Sequence, residues 1–129
     1  MKDQLTREKK CSAYQAALDD ALYAIGGKWK LRVISALKHA GAMRFNELQR
    51  AIAGISARVL SNELKDLELN GFVKRIVYTQ TPVIVEYALT DYADSLGHVL
   101  QSLIAWGEQH RITLREAHRA QVTGNSENN

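Results

Sequence analysis

One cysteine, Cys11, stands in a chain of 129 residues, which excludes an intramolecular disulfide. No apolar run approaches the ~18–20 residues that a membrane-spanning helix needs, and the opening MKDQLTREKK is charged throughout. A cytoplasmic, soluble protein with no membrane partner is therefore expected. Metal-ligand spacing is missing as well. His39, His98, His110 and His118 have no H-x-x-E-H, H-E-x-x-H or C-x-x-C companion, so neither metal nor cofactor is expected. No G-x-S-x-G occurs, and no Ser, His and Asp set has a recognisable spacing. Asp19-Asp20 reads as a solvated helix face rather than a catalytic pair. Gly26-Gly27-Lys28 fails as a phosphate loop, because Leu22 and Trp29 stand where GxxxxGK[ST] requires Gly and Ser or Thr. An enzyme is not expected.

What the chain does hold is charge in one place. Overall it has 17 Lys+Arg against 14 Asp+Glu, a formal +3 that says little about partners. Residues 28–75, however, carry ten basic side chains and four acids, a balance of +6, which leaves the rest at −3. A basic block of this kind is the electrostatic footprint of a polyanion-binding face. With 46% hydrophobic residues the chain is long enough for one core. One domain over 11–119 is expected, with 1–10 and 120–129 as flexible termini. The last stretch, TGNSENN, has nothing to bury.

The basic block contains a helix pair. Ser56 is a good N-cap and Gly71 a good stop, and between them Leu60, Leu64 and Leu67 recur at helical spacing as a buried stripe. Arg58, Ser61, Asn62 and Lys65 make a second row, free of acid, whose side chains can donate to phosphates and to base edges. Before it, Asn46 to Ile52 forms a shorter helix with Phe45, Leu48 and Ile52 on its apolar side, joined through Ala53-Gly54-Ile55. Short helix, tight turn and longer helix make a helix-turn-helix pattern. Two ordinary packed helices with a solvated face would show the same pattern, and the basic neighbourhood is what favours DNA.

Around this pair the first helix is expected from Ser12 to Ile25, with Tyr14, Ala17, Leu18, Ala21, Leu22 and Ile25 buried. A second helix spans Lys28 to about His39. After Gly71 the pattern alternates: Phe72 to Tyr78 and Val83 to Leu89 read as strands of a hairpin, a wing with Lys74 and Arg75 at its base. Thr90 then caps a helix from Asp91 to about Arg119. Tyr92, Leu96, Val99, Leu100, Leu103, Trp106, His110 and Leu114 form its stripe. At 1.5 Å per residue it measures ~42 Å, more than so small a fold needs, so it should reach into a partner chain. Trp29 and Trp106 read as core aromatics rather than as the lining of a small-molecule pocket. The fold class is mainly α with a small β-hairpin wing, a winged helix-turn-helix with dimerisation helices at its N- and C-terminal ends.

Gly26-Gly27-Lys28-Trp29, Arg44-Phe45-Asn46-Glu47-Leu48, Gly54-Ile55-Ser56, the run Leu60 to Glu68, Gly71 to Arg75, Val85-Glu86-Tyr87, Leu89-Thr90 and Trp106-Gly107 together resemble the HxlR-type winged helix-turn-helix transcriptional regulators, relatives of the MarR-type regulators. The likeness covers about residues 11–112. It implies a homodimer, joined by terminal helices through Leu96, Leu100, Leu103 and Trp106, that reads an inverted repeat in double-stranded DNA. On that reading Arg58, Ser61, Asn62 and Lys65 face the major groove, while Lys28, Arg44, Ser56, Lys74 and Arg75 hold phosphates. Two departures matter. Val83-Ile84 follow Pro82 where members carry a basic pair, and Ser12 rather than Pro follows Cys11. Thiol-sensing members react at a cysteine in this position, and Lys9-Lys10 beside Cys11 would favour its thiolate, so an oxidant or small-molecule effector is a further expectation. The rival reading is a winged-helix protein-interaction module without sequence-specific DNA binding, for which a +6 block has no use.

Overall fold

The computed structural model describes residues 2–127. In chain order they form α1 (Lys2–Ile25), α2 (Lys30–Ala40), β1 (Met43–Arg44), α3 (Phe45–Ala51), α4 (Ala57–Leu69), β2 (Val73–Tyr78), β3 (Ile84–Leu89), a 3-10 turn (Asp91–Leu96) and α5 (Gly97–Glu127). Residues up to Ala93 make one unit and those from Asp94 a second, which is mostly α5.

The first unit is built on α4. Leu60, Leu64 and Leu67 lie on one side of it and are fully buried, as are Val33, Ile34 and Leu37 of α2 and Leu48 of α3. Each such side chain stabilises the fold by about 1.5–3 kcal/mol relative to exposure. A sheet of order β1-β3-β2, antiparallel throughout, continues this core. Val73 pairs with Leu89 at its inner end and Tyr78 with Ile84 toward the hairpin loop, while Met43 pairs with Tyr87 from the other edge. The fold is thus a winged helix-turn-helix, mainly helical, as expected.

Several boundaries differ from expectation for physical reasons. Arg44 is extended because it pairs with Glu86 in the sheet, so α3 starts at Phe45 and Asn46 is not its cap. Thr90 does not cap a long helix. Its hydroxyl donates to the carbonyl of Gly71, and Phe72 stacks on Tyr92 with ring centroids 5.3 Å apart. The chain from Asp91 is a 3-10 turn, and α5 begins at Gly97. At the ends the helices reach further than expected: α1 starts at Lys2, and α5 continues to Glu127, into the TGNSENN stretch. Thr113 and Thr123 keep their hydroxyls satisfied inside α5 by donating to the carbonyls four residues back, at 2.9 and 2.8 Å. Asn128 and Asn129 of that stretch lie outside the described residues.

The largest correction concerns α1. Tyr14, Ala17, Leu18, Ala21 and Leu22, expected to be buried, are exposed within the chain, and only Ile25 is half-buried. Helical periodicity identifies a face that calls for cover but not the chain that supplies it.

Candidate nucleic-acid interface

The turn between α3 and α4 is set by backbone chemistry. Gly54 adopts φ +84°, a left-handed conformation that favours glycine, and the amide of Ile55 donates to Ile52 O at 3.3 Å. Ser56 then caps α4: its hydroxyl accepts from the Val59 amide at 3.2 Å. Because the leucine stripe is buried, the opposite row is turned outward. Arg58, Asn62 and Lys65 are exposed and Ser61 is half-buried beside them.

The acids of α4 are partly drawn away from that row. Lys30 Nζ of α2 lies 2.8 Å from Glu63 Oε2 and 3.5 Å from Asp66 Oδ2. The hydrogen bond that Lys30 donates to Glu63 chiefly raises its pKa above the ordinary value, helped by the charges of Glu63 and Asp66 and opposed by burial. Lys30 is thus engaged within the protein, and the outer row of α4 keeps its positive charge.

The expected phosphate contacts are distributed unevenly. Arg44 and Ser56 are exposed at the N-terminal ends of α3 and α4, with Arg44 Nε 3.9 Å from Glu47 Oε1. Lys28 is exposed, but its Nζ sits over the Trp29 ring, 4.7 Å from the centroid. Lys74 and Arg75 are both exposed, yet as neighbours on β2 they point to opposite faces of the sheet. The wing beyond them is apolar, with Val77, Tyr78 and Val83 exposed.

Sequence reasoning overlooked three features here. Arg32 Nη2 donates to Ala53 O in the turn at 3.2 Å. Asn46, Gln49 and Arg50 of α3 line an open hollow with Ile55. Leu69, at i+11, i+7 and i+4 from Arg58, Asn62 and Lys65, continues their row and is 85% exposed. The spacing of Leu69 was available in the sequence; the Arg32 bond, across 21 positions, was not.

Elsewhere, Cys11 is exposed on α1. Of the expected dimer residues, Leu103 and Trp106 are 50% and 64% exposed, Leu96 is half-buried, and Leu100 is already buried within the chain. Trp106 is therefore not a core residue; it stacks on His110 of the next turn, with centroids 4.8 Å apart. Trp29 is half-buried rather than enclosed.

A helix-turn-helix with a three-stranded wing and a cationic outer row on its second helix defines a winged-helix DNA-binding regulator. Comparison with known proteins gives the family. Residues 24–114 match the HxlR-like helix-turn-helix family, and the chain belongs to it. It is 42% identical over 97 residues to the HTH-type transcriptional regulator YtcD of Bacillus subtilis, covering 75% of this chain and 76% of the relative. Against the HTH-type transcriptional regulator BH0655 of Halalkalibacterium halodurans it is 46% identical over 90 residues, 70% of this chain and 80% of the other. Among solved structures it is similar to the redox regulator HypR in its reduced form, with a TM-score of 0.71 and 37% identity over 78% of this chain and 98% of that one. The reduced transcriptional regulator YodB from B. subtilis gives 0.65 and 36% over 72% and 90%. The chain is accordingly a helix-turn-helix transcriptional regulator of a family that is not enzymatic. No helix among the described residues is long and apolar enough to cross a membrane.

Proposed function

We propose that the protein is a cytoplasmic, homodimeric regulator that reads an inverted-repeat operator in double-stranded DNA through α4. The observation that carries this reading is the division of α4 into a fully buried leucine stripe and an exposed row of Arg58, Asn62 and Lys65. Arg pairs bidentately with guanine and Asn with adenine in the major groove. Ser61 completes the row, while Ser56, Arg44, Lys28, Lys74 and Arg75 are the candidates for phosphate contacts that set register. Leu103 and Trp106, with Leu96 and the outer face of α1, join the subunits. A two-fold dimer then presents two copies of α4 about one helical turn apart, ~10 bp between half-site centres. Selection of bound sequences from random duplexes by the purified protein tests the reading: an inverted repeat with that spacing is expected, and a pool that stays random after selection would count against it.

Cys11 supports a thiol response. It is exposed, it is the chain's one cysteine, and the similar proteins HypR and YodB include a redox regulator. Its thiolate would attack a small-molecule disulfide, forming a mixed disulfide and releasing one thiol; the same residue of a second subunit would then attack that mixed disulfide, releasing the second small thiol and leaving a disulfide between subunits. A disulfide reagent is expected to change operator affinity in the wild type and not in Cys11→Ser. Equal affinity before and after complete modification would leave Cys11 a structural residue.

A further inference from the structure

We infer that Arg32 is a positioning residue for DNA reading: its guanidinium, laid on Trp29, holds the carbonyl of Ala53 and so sets the turn that aims α4. The inference rests on the DNA-reading proposal and adds a residue absent from it. Arg32 Cζ stands 4.8 Å from the Trp29 ring centroid, and Nη2 donates to Ala53 O at 3.2 Å. A planar guanidinium can place its face on an aromatic ring while donating from its edge, which an ammonium cannot. The two contacts therefore fix one another.

Buried Ile52 and Ile55 anchor the two sides of the turn, and the Arg32 bond restrains the carbonyl that lies between them. Ala53 precedes Gly54, and nothing lies within 4 Å of where a Cβ on Gly54 would be. The backbone bond that closes the turn, Ile55 N to Ile52 O, is long at 3.3 Å. Beside it, Arg32 borders a surface hollow of about 270 Å³ with Ser35, Ala36, Ala51 and Ile52. Arg32 spans from α2 to the far end of α3 there. Base contacts require a helix held to about 0.5 Å, whereas phosphate contacts by flexible side chains tolerate more movement. A loosened turn should therefore lower specific binding and spare non-specific binding.

The test compares wild type, Arg32→Gln and Arg32→Lys on a duplex obtained by selection and on an unrelated duplex, across a salt series, with thermal melting of each protein. Both variants are expected to lose about three- to tenfold on the selected duplex, the scale of a charged hydrogen bond partly exposed to water, with unchanged affinity for the unrelated duplex and an unchanged salt slope. Equal losses on both duplexes, with a slope reduced by about one ion per subunit, would make Arg32 a phosphate contact and overturn the inference. So would a lowered melting temperature with the ratio of the two affinities intact, or full preference retained by Arg32→Lys. If the wild type itself does not distinguish the duplexes, the DNA-reading proposal fails first, and visibly so, before any variant is compared.

Discussion

Lys30 Nζ lies 2.8 Å from Glu63 Oε2, an ion pair between α2 and α4 whose side chains are only 14% and 20% exposed. Removing the lysine leaves a carboxylate facing the protein without its cation. Lys30→Met is therefore expected to destabilise the fold by about 1–3 kcal/mol, read from the midpoint of urea unfolding, and Lys30→Met with Glu63→Gln to recover part of that loss. The pH dependence has a definite sign. The native pKa of Lys30 is raised above 10.5, chiefly by the hydrogen bond it donates to Glu63, so on the alkaline side the pair's contribution is fully present below pH 10.5 and fades as pH rises through the native value. Above neutral pH the stability gap between wild type and Lys30→Met should narrow only there. A gap that closed between pH 8 and pH 6, or no gap at neutral pH, would contradict this account.

Ser56 has two assignments that substitution can separate. As the cap of α4 its hydroxyl accepts from Val59 N, and Ser56→Ala should cost about 0.5–2 kcal/mol. Aspartate caps a helix as well as serine does, and its charge suits the helix N-terminus, so Ser56→Asp should melt near the wild-type temperature. If Ser56 also lies against a phosphate, the same variant should bind every duplex more weakly by repulsion. Wild-type DNA affinity in Ser56→Asp would confine Ser56 to capping.

Leu103 is half-exposed in the single chain, so a polar residue there leaves the subunit's own core untouched. In a dimer the same position would bury the new charge. Leu103→Asp is accordingly expected to yield folded monomers by native mass at micromolar concentration, with wild-type helicity. Leu100→Asp should behave differently and lower the stability of the subunit, because Leu100 is buried already. A wild-type chain that runs as a monomer would remove the premise.

The part of the fold most legible in the sequence was α4, because its cap, stripe and outer row are all set within a few turns of one another. Ser56, Leu60, Leu64 and Leu67 needed no knowledge of the rest of the chain. β1 was invisible for the opposite reason: Met43 and Arg44 are a strand only by virtue of Tyr87 and Glu86, far along the sequence. That pairing also moved the start of α3. Lys30 counted as one more cation in a basic block until the fold brought Glu63 and Asp66 against it. Trp106 and the α1 stripe show the limit of periodicity, since a stripe left exposed on its own chain and one packed in the core repeat at the same interval.

The wing offers the sharpest separation of roles. Lys74 pairs with Ala88 and Arg75 with Tyr87, so the two side chains leave β2 on opposite faces. A duplex lying along α4 can meet one of those faces closely, and only the cation on that face can neutralise a phosphate there. Lys74→Ala and Arg75→Ala should therefore differ. One should weaken all duplexes alike and reduce the salt slope by about one ion per subunit, while the other leaves both unchanged. Arg58→Ala and Asn62→Ala form the contrasting pair: each should cost about 1–3 kcal/mol on the selected duplex and relax preference at one symmetric position per half-site. Measured together over a salt series, the four variants assign each side chain to base or backbone. Equal slopes for Lys74→Ala and Arg75→Ala, both reduced, would mean that the wing turns edge-on into the DNA; unchanged sequence preference in Arg58→Ala and Asn62→Ala would remove α4 as the reading element and favour a winged helix that binds protein.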